Sequence, residues 1–316
     1  AVAARIAAPA PAPVAAPPPQ PTTTTTLLLA PPRRHDQEAP AEGALAIWCL
    51  GSFRVSYGGR SIDTWAGQKG LSILKYLVVH RRVPVAKDVL MELFWPEMPP
   101  ESARRNLHQA IYSLRQSLKQ GGPELQAAVS FENDCYKISD SIALWVDYER
   151  FEEWVGQGRR HEAGGDLAAA MACFDKAVDL YAGDFLAEDL YEDWLQPRRE
   201  KLAEMRIDVV ERLSQYHYQR GDFTAATAYG HQILASDACR EETHYRLMEC
   251  YLAQGKRHLA LRQYQSCVEV LEREFGLAPS AATQALYQRI LADERPAPPP
   301  HLLKGHSEGA QGRANA

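Results

Sequence analysis

A mainly α-helical fold with a small β component, arranged as two domains between proline-rich tails, is predicted by three observations. Short segments of alternating apolar residues bracket three runs of helical periodicity between residues 45 and 146. A glycine followed five residues later by alanine recurs three times between 165 and 260. Residues 1 to 44 hold 10 of the 21 prolines, and residues 296 to 300 hold 4 more.

The elements follow in chain order. Residues 1–44 and 292–316 contain too few large apolar residues to offset chain entropy, so disordered tails are expected. In LAIWCLGSFRVSYGGRSI, Phe53, Val55 and Tyr57 alternate before Gly58-Gly59, a two-residue hairpin signal. In KGLSILKYLVVH, Leu71, Leu74, Leu77 and Val78 recur at helical spacing. After the break at Arg81-Arg82-Val83-Pro84, Val89, Leu90, Leu93 and Phe94 repeat that period.

A third helix is expected over 102–120, after Pro99-Pro100 and before Gly121-Gly122. At 100° per residue, Leu107, Ile111, Leu114 and Leu118 form one narrow apolar edge. The opposite arc carries Arg105, His108, Gln109, Tyr112, Gln116 and Lys119, flanked by Arg104 and Arg115. Next, AVSFENDCYKI reads as a hairpin. With Asn133-Asp134 in the turn, Phe131 faces Tyr136 and Val129 faces Ile138. IALWV adds a closing strand.

Two short helices, a tight turn, a third helix with a polar outer face and a hairpin describe a winged helix-turn-helix over 45–146. In that arrangement the last helix enters the major groove of duplex DNA. Arginine can bridge guanine O6 and N7, glutamine can pair with adenine, and lysine or tyrosine can reach phosphates. Charge agrees. Residues 45–146 carry 12 Lys/Arg against 9 Asp/Glu, net +3, whereas residues 147–291 carry 17 against 25, net −8. A polyanion should therefore meet the first half. Two plainer readings remain: a solvated helix face, and a winged helix that binds only protein.

Residues 147–291 read as helical repeats. Gly165, Gly221 and Gly255 precede Ala170, Ala226 and Ala260, and the second and third glycines are 34 apart, the tetratricopeptide period. The first two are 56 apart, which implies an insertion of 22 residues. Trp154 and Gly158 stand where that repeat places an aromatic and a small residue. The acidic insertion, with Asp184, Glu188, Asp189, Glu192 and Asp193, reads as a solvated face rather than a metal site, since no histidine joins it at ligand spacing.

Six cysteines form no C-x-x-C pair and no zinc-finger spacing, so reduced, mostly buried thiols are expected, with no metal or cofactor. Prolines interrupt every candidate signal-peptide core and no apolar run spans a bilayer, which points to a cytoplasmic chain without a membrane partner. The chain does not begin with Met and is read as a piece of a longer product. Enzyme signatures fail in turn. Ser72-x-x-Lys75 lies on a core helix without companion motifs, His161-Glu162 lacks the second histidine of a zinc protease, and no phosphate-loop motif occurs.

LGSFRV, the run KGLSILKYLVVHRRVPVAKDVLMELFWP and SARRNLHQAIYSLRQSL together resemble the winged-helix half of bacterial transcriptional activator domain proteins. These are related to the Streptomyces antibiotic regulatory proteins, and their DNA-binding half is similar to that of OmpR response regulators. The resemblance extends over 45–291. It implies a sequence-specific transcriptional regulator, expected to be an activator, with Arg104, Arg105, His108, Gln109, Tyr112, Arg115, Gln116 and Lys119 on a recognition helix. Lys69, Arg81, Arg82 and Lys87 are then placed to touch the DNA backbone. It also implies a repeat domain used for dimerisation, effector sensing or RNA polymerase contact; promoter sites in direct repeat, about one helical turn apart, would suit two side-by-side winged helices. One departure is the Glu132-Asn133-Asp134 tip of the hairpin: phosphate repels acids, so no wing contact is expected.

Overall fold

The computed structural model describes residue 40 and residues 43–189 and 191–292. The tails expected to be disordered fall almost wholly outside the described residues.

The first strands are β1 (Leu45–Trp48), β2 (Arg54–Tyr57) and β3 (Arg60–Ser61). They pair antiparallel, with Tyr57 opposite Arg60 across a turn in which Gly58 and Gly59 take φ of 54° and 77°. Positive φ at both turn positions matches the twist of the strands and suits glycine. Then come α1 (Gln68–Val79), β4 (Val85–Ala86), α2 (Lys87–Phe94) and α3 (Pro100–Leu118). The hairpin of β5 (Val129–Glu132) and β6 (Cys135–Ile138) follows, and β7 (Leu144–Val146) closes the half.

The hairpin register is the one its sequence predicts, with Val129 opposite Ile138 and Phe131 opposite Tyr136. Asn133 and Asp134 take φ of 50° and 61°, a left-handed conformation these two side chains tolerate. Two sheets result, one in the order β3-β2-β1-β7 and one in the order β4-β6-β5. The closing strand β7 runs parallel to β1, so the first sheet joins the two ends of the winged helix. Helix α3 starts two residues earlier than its periodicity suggests, because proline is tolerated where a helix needs no amide donor.

Six helices then stack as antiparallel pairs: α4 (Asp147–Ala163) with α5 (Leu167–Leu180), α6 (Gln196–Gln219) with α7 (Phe223–Ser236), and α8 (Glu241–Ala253) with α9 (Arg257–Phe275). Helix α10 (Ala281–Leu291) covers the end. Each pair turns at a glycine with positive φ, 81° at Gly165, 76° at Gly221 and 72° at Gly255. Asp166 and Asp222 cap the helix that follows by accepting from the amides of Ala169 and Ala225.

The alanines of the repeat are fully buried, and the small residues let helices touch. A Cβ at Gly158 would stand 2.3 Å from the Phe174 ring, and one at Gly230 would stand 2.7 Å from Leu247. These are the tetratricopeptide-like contacts that the Gly–Ala spacing predicts.

One hydrophobic core runs from Leu45 through the winged helix and onward to Leu213, so packing does not pause at residue 146. A second, smaller cluster holds Leu247, Met248, Leu286 and Ile290. Among the described residues no helix is long and apolar enough to cross a membrane.

Candidate nucleic-acid interface

Helix α3 buries Ala103, Leu107, Ala110, Ile111, Leu114, Ser117 and Leu118. Its seat is tight. A Cβ at Gly70 of α1 would stand 2.9 Å from the carbonyl oxygen of Ala110 and 3.3 Å from Leu114 Cβ, so only glycine lets the two helices approach this closely. Ser117 fixes the other end, its buried hydroxyl accepting from the Ala66 amide at 3.0 Å.

With that edge seated, the opposite face is open. Arg104, Arg105, His108, Gln109 and Lys119 are exposed, Tyr112 is 59% exposed and Gln116 is half-buried. Arg104 lies 3.3 Å from Glu101 and Arg105 donates to the Ser102 hydroxyl at 3.3 Å. Both contacts are long, local and solvent-exposed, and exposed pairs of this kind contribute little. The guanidiniums therefore yield readily to a stronger acceptor.

Other cations of the predicted set have different occupations. Arg115, half-buried, donates through Nε and Nη2 to the Val129 carbonyl at 3.2 and 2.8 Å, bracing α3 against the first strand of the wing. Lys87 lies 2.7 Å from Asp134 at the wing turn, and Lys137 neighbours Glu132 at 3.9 Å and Asp140 at 2.9 Å. The acids at the wing tip are thus matched by cations that sequence order hides. Arg81, expected on the DNA backbone, instead forks onto Glu149 of α4, with Nε 2.6 Å from Oε1, and this hydrogen-bonded carboxylate raises the arginine pKa further. Arg82 is exposed in the turn between α1 and α2. Lys69 is exposed at the start of α1, its ammonium 5.6 Å from the Phe94 ring centre.

The repeat half has a groove of about 840 Å³ lined by Glu162 of α4, Leu167 and Met171 of α5, residues of α6 including Asp208, Glu211 and Arg212, and Arg240 and Arg246 at and within α8. Arg212 bonds Glu162 and Asp208, and Arg240 bonds Glu211 and Asp237. It is a polar channel cross-linked by ion pairs.

Comparison with known proteins connects these halves. Residues 63–130 match the family model of the transcriptional regulatory protein C-terminal domain, and residues 146–291 match that of the bacterial transcriptional activator domain. Over both halves the chain is similar to bacterial transcriptional activator domain regulators. Transcriptional regulatory protein MoaR1 of Mycobacterium tuberculosis is 25% identical over 253 residues, covering 80% of this chain and 81% of its own length. Regulatory protein DnrI of Streptomyces peucetius is 25% identical over 251 residues, covering 78% of this chain and 92% of its own. The same fold occurs in the solved structure of M. tuberculosis EmbR in complex with a low-affinity phosphopeptide, with a TM-score of 0.62 and 23% identity. That likeness covers 80% of this chain and 66% of the EmbR chain.

The two matches and the named relatives support a place in transcriptional regulation. Sequence periodicity marks both the apolar edge and the exposed face of α3 but misses two residues that help to seat it. The buried hydroxyl of Ser117 and the carbonyl grip of Arg115 depend on partners 51 and 14 residues away. Only Arg115's position at the edge between the apolar stripe and the polar arc hints at a bracing role.

Proposed function

We propose that the chain binds duplex DNA sequence-specifically by laying α3 in the major groove. Arg104, Arg105, His108, Gln109, Tyr112, Gln116 and Lys119 face base edges and adjacent phosphates, and Lys69 and Arg82 meet the backbone. Arg115, Lys87 and Arg81 serve as braces. The observation that carries this reading is the division of α3 into a sealed apolar edge and an open face of arginines, amides, an imidazole and a phenol with weak internal partners. A solvated face does not need that mixture, whereas bidentate base recognition does.

The repeat half then serves activation, with the polar groove receiving an effector, RNA polymerase or a second copy of the chain. Two copies side by side fit direct repeats about one helical turn apart. Selection of bound sequences from a random duplex pool tests the central step. A defined motif is expected, and Arg105→Ala is expected to weaken its binding and blur its preference. Recovery of no motif, or an Arg105→Ala chain with an unaltered preference, would place the reading surface elsewhere.

A further inference from the structure

Helix α1 has α3 on one side and the repeat half on the other. Toward α3 it offers Gly70, whose backbone meets Ala110 and Leu114. Elsewhere α1 and the turn that follows it are held by four groups from beyond residue 146. Lys75, with its side chain 5% exposed, lies 2.5 Å from the carboxylate of Asp189. The Tyr76 ring meets Trp194 edge-on at 4.9 Å. The Val78 carbonyl accepts from the Tyr148 hydroxyl at 3.1 Å, and Arg81 forks onto Glu149.

Asp189 and Trp194 belong to the described residues 181–189 and 191–195 between α5 and α6, a segment that is itself fastened. Its Leu186 amide donates to Cys49 at 2.7 Å, its Asp184 carbonyl accepts from Gly51 at 3.0 Å, and Arg199 of α6 donates to the carbonyls of Phe185 and Leu186. The buried Asp147 carboxylate closes the joint by accepting from the amides of Cys49, Leu50 and Tyr148.

We propose that Asp189 and Glu149 are positioning residues for DNA recognition. They hold α1, and α1 sets the tilt of α3 through the contact at Gly70, so the repeat half orients a reading helix it does not touch at the DNA. Lys75 makes the dependence strong. It is a buried cation whose ammonium also stands 4.8 Å from the Phe53 ring, a contact too weak to replace a carboxylate, so removing its partner drives the side chain toward water and α1 with it. The proposal rests on the reading of α3 as the DNA-facing helix.

The test uses the full chain with Asp189→Asn, the milder Glu149→Gln, and Leu286→Ala as a control that weakens the distant cluster. Affinity for the selected duplex, its salt dependence and amide hydrogen exchange over 70–79 and 103–118 are read for each. Asp189→Asn is expected to bind about tenfold more weakly and Glu149→Gln, whose arginine partner is partly exposed, a few-fold more weakly. Their salt slope should be unchanged, because no phosphate contact is lost. Exchange should quicken across α1 and α3, whereas Leu286→Ala should alter neither affinity nor α3 exchange. Folded Asp189→Asn and Glu149→Gln chains with wild-type affinity and exchange would overturn the proposal, as would an equal loss of affinity in Leu286→Ala. If the wild-type chain selects no duplex, the DNA reading fails by itself; exchange in α3 then decides positioning, supported if faster and overturned if unchanged.

Discussion

Gly70→Ala places a methyl where α1 crosses α3. The added carbon would lie 2.9 Å from the Ala110 carbonyl oxygen and 3.3 Å from Leu114 Cβ. Neither atom can rotate away, because one is backbone and the other is fixed to it. The helices must part by several tenths of an ångström, loosening a core in which Ile73, Leu74, Leu77, Leu107, Ile111 and Leu114 are all buried. Overpacking of this kind costs about 1–3 kcal/mol. Replacing a helical glycine by alanine returns at most about 0.5–1 kcal/mol. A net loss of about 1 kcal/mol, the middle of that difference, is expected, read as a lower midpoint in urea with the slope unchanged. Gly156→Ala is the matched control. It lies in α4, where a Cβ meets only the end of Arg160 at 3.6 Å, so the propensity gain stands alone and stability should rise. A Gly70→Ala chain as stable as wild type would refute the close approach of α1 and α3, and with it the route by which the repeat half orients the reading helix.

Three further substitutions probe other links. Gly158→Ala drives a methyl to 2.3 Å from the Phe174 ring and should destabilise by about 3 kcal/mol in the same assay. Leu114→Ala, at a site 1% exposed, should lower stability by about 2–5 kcal/mol while leaving sequence preference intact at temperatures where the chain is folded. Asp147 supplies a pH dependence. Burial pushes its carboxyl pKa from 3.8 up to about 6, against the opposing pull of three backbone donors. Between about pH 6 and 4 the folded chain therefore holds a proton that the unfolded chain lacks, so this group's contribution to stability grows as pH falls through that window. Urea midpoints should show the wild type gaining on Asp147→Asn from pH 6 to 4, and a constant difference would contradict the assignment.

Much of the fold is legible locally. Strand alternation and Asn133-Asp134 give the hairpin register to the residue, and Gly165, Gly221 and Gly255 mark every turn between paired helices. These features depend on neighbours in sequence. The joint does not. Lys75 looks like an unused serine-lysine motif and Asp189 like one acid of a solvated cluster, yet they pair across 114 residues. The resemblance places Arg81 at the DNA backbone, whereas the fold brings Glu149, 68 residues on, beside its guanidinium. The insertion between the first and second repeats is likewise visible as a lengthened period, while its packing against the residues that follow β1 and against α1 is seen only in three dimensions.

The face of α3 is tested most directly by titrating duplex binding against salt for the wild type and for Arg104→Ala, Arg105→Ala and Lys119→Ala. If that face lies in the groove, log K falls linearly with log salt, and each variant that loses a phosphate contact flattens the slope by about 0.9. A chain with no duplex affinity at low salt, or three variants with the wild-type affinity and slope, would contradict it.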